Sequence, residues 1–62
     1  MIVSFTCNNL EQYQQLQHEI TDYFSGVVLE PDIDIFTIKC ELPDKKVADF
    51  ISRRWGLEYI QV

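Results

Sequence analysis

An α+β fold of order β-α-β-β-α-β is what this 62-residue chain predicts, and three observations carry that expectation. Two segments repeat apolar residues at three- and four-residue steps, the spacing of a helix face. Four others are short and apolar or alternate with period two, as half-buried strands do. Turn and cap residues fall between them: Asn8-Asn9, Ser25-Gly26, Glu30-Pro31-Asp32, Pro43-Asp44 and Gly56.

The first strand runs from Ile2 to Cys7, with Val3, Phe5 and Cys7 on one side and Ser4 and Thr6 on the other. Asn8 and Asn9 then offer caps, with Glu11 and Gln12 three residues on from each, so either register approximates a capping box. The first helix follows. Leu10, Tyr13, Leu16, Ile20, Tyr23 and Phe24 form its apolar arc, and Glu11, Gln15, His18, Glu19 and Asp22 the opposite one. Ser25-Gly26 stops it, glycine being suited to the left-handed conformation past a last turn.

Val27 to Glu30 reads as a second strand, and Glu30-Pro31-Asp32 as the turn of a hairpin, proline setting its first corner. The returning strand, Ile33 to Leu42, alternates Phe36, Ile38, Cys40 and Leu42 against Ile35, Thr37, Lys39 and Glu41. Pro43-Asp44 opens the second helix, whose stripe is Val47, Ala48, Ile51 and Trp55. Lys45, Asp49 and Arg53 are spaced for i,i+4 pairing along its wet side, and Arg53 and Arg54 favour the negative end of its dipole. Arg54 falls within the apolar arc, where its stem can line the core edge with the head in water. Gly56 ends the helix, and Leu57 to Val62 is the last strand. This order is the split βαβ or ferredoxin-like arrangement: a four-stranded antiparallel sheet with two helices on one face, in one domain covering 1–62. Its first and third strands are expected as central neighbours, running parallel.

Charge is divided along the chain. No lysine or arginine precedes Lys39, whereas Glu11, Glu19, Asp22, Glu30, Asp32 and Asp34 do, and the formal charge is −5. Nucleic-acid affinity comes from cations that displace condensed counterions, so the front half cannot wrap phosphate. The acidic balance suits a positively charged partner or solubility. Apolar runs are too short to span a bilayer, and Met1-Ile2-Val3-Ser4 lacks the charged and apolar regions of a secretion signal. Two cysteines without a C-x-x-C pair are too few for a disulfide framework, and they indicate a reducing, cytoplasmic setting. A chain this short buries only about 60% of its unfolded surface, so a homodimer or standing partner would add useful burial.

The chemistry-bearing residues have modest readings. Cys7 and Cys40 point inward near the ends of adjacent strands, and with those strands parallel the thiols would share one end of the sheet. They are small core hydrophobes, with a redox pair or a half-site for metal as the alternative. Glu30, Asp32 and Asp34 bunch at the hairpin tip without the glycine or spacing of a calcium loop, leaving turn chemistry or an electrostatic contact for a basic protein. His18 and Asp22 stand one turn apart on a solvent arc. Gln17 lies within the apolar arc of the first helix and Gln14 at its margin, a neutral strip of the kind interface cores use, or simply good helix formers.

Arg53, Arg54 and Trp55 resemble a basic-aromatic patch but lack the series of stacking rings a single-strand binder needs. The open sheet face would carry Ser4, Thr6, Ile35, Thr37 and Lys39, not the aromatics of an RNA-recognition sheet. No nucleophile-base pair, phosphate loop or metal-ligand spacing indicates an enzyme or a cofactor.

In element order and length the whole chain resembles the ACT family of regulatory domains, with Asn8-Asn9-Leu10 in place of that family's glycine-bearing loop. The resemblance implies a homodimer that senses a small ligand. The expectation preferred on the residues is a non-catalytic regulatory or inhibitory protein. It would bind the basic surface of another protein through Glu30, Asp32, Asp34, Gln14 and Gln17, without nucleic acid or membrane.

Overall fold

The computed structural model spans residues 1–62 and contains β1 (Ile2–Thr6), α1 (Leu10–Tyr23), β2 (Val27–Asp32), β3 (Thr37–Glu41), α2 (Lys45–Trp55) and β4 (Tyr59–Gln61). The sheet order is β2-β3-β1-β4, and each neighbouring pair is antiparallel. Both helices cover one face, the ferredoxin-like α+β arrangement. Val3, Phe5 and Cys7 of the first strand segment and Ile38, Cys40 and Leu42 of the third face Tyr13, Leu16 and Ile20 of α1 and Ala48 and Ile51 of α2. Leu57 closes this core of 12 apolar residues.

The central strands β1 and β3 are neighbours but antiparallel, which corrects the expected direction. The connection β1-α1-β2 crosses over one strand position, so β1 and β2 are parallel; β3, joined to β2 by a hairpin and lying between them, must oppose both. The thiols separate as a result. Cys40 pairs with Val3, whereas the Cys7 N–H donates to the Phe36 carbonyl at the far end. Four residues of strand put the thiols roughly 13 Å apart. Both are buried and free.

The helix ends explain why α1 and α2 begin and stop where they do. Asn9, not Asn8, caps α1: its Oδ1 accepts from the Gln12 N–H at 2.8 Å, and Gln12 Oε1 accepts from the Asn8 N–H at 2.9 Å. Asp44 caps α2 through the Val47 N–H at 3.1 Å. Gly56 has φ 65°, the left-handed conformation expected of it. At the end of α1 the expected roles are exchanged. Ser25 takes the left-handed turn at φ 53°, while Gly26 is buried where any side chain would strike Ile20 and Leu42.

Two side chains depart from the helical wheel. Tyr23, expected on the buried stripe, is exposed, because the chain leaves the helix there and only Phe24 turns inward. Glu19, expected on the wet arc, has a side chain only 12% exposed and accepts from Arg54 Nε at 2.6 Å. The pair links the helices across their seam, so the Arg54 head is held by a partner. Lys45 and Asp49 make the expected i,i+4 pair at 3.4 Å.

The hairpin is longer in β2 and shorter in β3 than its residues suggest. Pro31 is not at a corner; it pairs with Ile38 within the edge strand β2, where a missing N–H is tolerated. A bulge at Leu29 absorbs one extra residue between the Val28 and Glu30 pairs. The turn falls instead on residues 33–36.

Candidate functional site

Register determines what the uncovered side of the sheet presents. Across β2, β3 and β1, one row holds Asp32, Thr37 and Thr6. The next holds Glu30, Lys39, Ser4 and then Ile60 of β4. The third holds Val27, Glu41 and Ile2, with Val62 beyond, whose N–H donates to the Ile2 carbonyl at 2.9 Å. Glu58 lies beside Ser4, Thr6 and Ile60 at the β4 side. Glu30, Asp32, Glu41 and Glu58 thus share the face with one cation, Lys39, which pairs with Glu30 at 3.5 Å.

The turn beyond this face is built from Asp32 upward. Asp32 Oδ1 accepts from the Asp34 N–H at 3.0 Å, an Asx turn that starts the reversal. Phe36 finishes it at φ 51°, a conformation that costs a residue with a Cβ about 1–2 kcal/mol. Packing holds it there. Its ring lies 6.3 Å from that of Tyr13, and its carbonyl accepts the Cys7 N–H at 2.8 Å. Ile33 and Ile35, which the period-two pattern assigns to a strand, are therefore carried outward and remain 55% and 60% exposed. Each is flanked by carboxylates, and Ile35 joins Asp32, Thr37 and Lys39 around a shallow groove of about 300 Å³.

Of the five residues singled out from sequence, Glu30, Asp32 and Asp34 are gathered on the open face and the tip. Gln17 stands on the other side of β2, over Val28, in a cleft with His18, Thr21 and Asp22, and Gln14 is exposed on the outer arc. The carboxylates and Gln17 thus flank one edge strand without forming one plane, and Gln14 stands apart from them. Ile33 and Ile35 were not among the expected site residues. The alternation Asp32-Ile33-Asp34-Ile35 does contain the signal, since apolar residues interleaved with charge at a turn have no second face on which to bury.

Elsewhere the titrating groups have structural roles. The Tyr59 hydroxyl donates to Asp49 Oδ1, which holds the Asp49 carboxyl below its ordinary value and raises the Tyr59 phenol. Burial pushes the Cys40 thiol up to about 11 and raises Cys7 as well, the opposite of activation. His18 and Asp22 approach to 4.0 Å on open surface. No group of three or more His, Cys, Asp and Glu side chains converges as metal ligands, and no helix is long and apolar enough to cross a membrane.

Comparison of the chain with protein-family models, with curated proteins and with solved structures finds no match.

Proposed function

We propose that this chain is a non-catalytic regulatory protein that binds a basic surface of another protein, in the form of an inhibitor seated in a cationic cleft. The hairpin tip supports this reading best. Ile33 and Ile35 stand more than half exposed, interleaved with Asp32 and Asp34, on a turn fixed by the packing of Phe36. Exposed aliphatic groups supply desolvation energy, and surrounding carboxylates supply orientation and encounter rate toward a cationic surface. A preformed turn loses little entropy on docking. A partner that reaches around β2 from the tip meets Gln17 and then Gln14, the neutral strip of α1. The reading places the protein in the cytoplasm, where Cys7 and Cys40 stay reduced.

The test is affinity capture with the native chain and with an Ile33→Ser, Ile35→Ser double variant as parallel baits, read by mass spectrometry. A basic protein retained by the first bait and lost from the second is the expected result. Retention by both baits alike excludes the tip. A chain stabilised by a small metabolite, with no protein captured, points to the ACT-like ligand-sensing dimer instead.

A further inference from the structure

We infer that the uncovered face of the sheet is a second part of the docking surface, and that its occupant is a basic amphipathic helix of the partner. This rests on the proposed binding of a basic protein and names the element that does it.

The face is unpartnered and graded in chemistry. Toward β4 it is mainly apolar: Ile60 and Val62 are 69% and 62% exposed, beside the half-buried Ile2, with Glu58 at one end. Toward β2 and β3 it is mainly acidic, with Glu30, Asp32 and Glu41 around Lys39 and the exposed Val27 at the edge. Ser4, Thr6 and Thr37 between these zones are small, so the middle of the face is low. Three inter-strand spacings make it about 14 Å across, and two steps between rows make it about 14 Å along the strands. An α-helix with its side chains is about 10–12 Å wide, so two to three turns fit. Its apolar stripe would lie over Ile60, Val62 and Ile2, and lysines or arginines at its margin would meet Glu30, Glu41 and Glu58.

Charge selects this occupant over the others. Four carboxylates against one ammonium repel a nucleic-acid backbone. They also disfavour a second copy stacked face to face, which would bring two such surfaces together with only two lysines between them. Pairing through the β2 edge is blunted by the Leu29 bulge and by Pro31. A cationic helix satisfies both zones at once.

The experiment is a two-dimensional NMR titration of the labelled chain with a synthetic helical peptide of leucine and lysine at amphipathic spacing. A peptide of the same composition with the pattern scrambled serves as control. The expected result is that the methyl signals of Ile60, Val62 and Ile2 and the amides of Ser4 and Lys39 shift with the patterned peptide, and that Ile60→Lys weakens it by about tenfold. Ile60 is a surface residue of an edge strand, and an unchanged melting temperature verifies that the variant folds. Shifts confined to α1 and α2, equal binding of the scrambled peptide, or no binding at about 1 mM overturn the inference. If Ile33→Ser, Ile35→Ser abolishes binding while Ile60→Lys does not, the tip reading stands and the sheet-face inference fails. If no basic probe binds and the capture experiment also yields no basic protein, both fail.

Discussion

Replacing Gly26 with alanine tests how α1 is joined to β2. A Cβ at this position would lie 2.5 Å from Ile20 Cγ2, 2.9 Å from Leu42 Cδ2 and 3.2 Å from the Glu41 carbonyl oxygen. Ile20 and Leu42 are core residues and the third atom is backbone of β3, so none can move aside cheaply. Overpacking of this kind costs about 1–3 kcal/mol, and three simultaneous contacts place it at the upper end. Alanine restricts the unfolded chain and returns about 0.4–1 kcal/mol, leaving a net loss of about 2 kcal/mol. In a domain of this size each kcal/mol moves Tm by about 4–8 °C, so Tm should fall by about 8–16 °C. Ser25→Gly is the companion change. It removes a left-handed penalty of about 1–2 kcal/mol but costs about 0.5–1 kcal/mol in unfolded-state freedom, so Tm should hold or rise. Thermal melts of both variants by circular dichroism decide the matter. A Gly26→Ala melt within about 2 °C of the native one, or a Ser25→Gly variant that loses stability, would refute the assignment of roles at this junction.

Other outcomes follow from the same geometry. Tyr59→Phe should weaken the pH dependence of stability at both extremes, leaving at the acid end the part of the Asp49 shift that Lys45 and Arg53 cause. Asp49, held below its ordinary value, stabilises the fold above its unfolded pKa and loses that contribution as pH falls through the folded one. Tyr59, raised, contributes below the ordinary phenol value and loses it as pH rises through its folded pKa. Melting temperature against pH should show both limbs flatten in the variant; an unchanged profile rejects the bond. Cys7 and Cys40 should resist a thiol reagent at neutral pH in the native chain and react fully in denaturant, since both are buried and Cys40 titrates only at about 11; prompt native labelling would contradict this. Trp55→Phe should lie within about 1 kcal/mol of native by denaturant titration, because the buried indole N–H has no acceptor and its removal offsets lost area. A loss above about 3 kcal/mol would mean the indole N–H has a partner after all.

The order of elements was legible because periodicity reports which face is buried, and Val3, Phe5, Ile38, Cys40, Leu16 and Ile51 all lie in the core their spacing implies. Strand direction was not a matter of periodicity. It follows from the crossover, and the mistaken parallel pairing of the first and third strands also misplaced the thiols. Local turn chemistry misled twice for one reason: composition identifies a breaker but not the force it answers. Pro31 reads as a corner yet suits an edge strand, and Gly26 reads as a left-handed cap yet is required for space. The acidic residues of the tip were readable as charge. Their aliphatic neighbours were readable only in part: Ile35 was expected on the open sheet face and Ile33 at the start of the same strand, and the displaced turn at 33–36 carries both to the exposed tip.

Salt dependence of binding is the most direct test of an acidic docking surface. With the basic protein captured on the native chain in hand, its Kd is measured by calorimetry across a series of rising salt concentrations. Attraction to the exposed carboxylates of the tip and sheet face is screened over a Debye length of about 10 Å at 0.1 M and about 3 Å at 1 M, so affinity should fall steadily along the series. A Kd that stays level from low to high salt would contradict binding through these carboxylates.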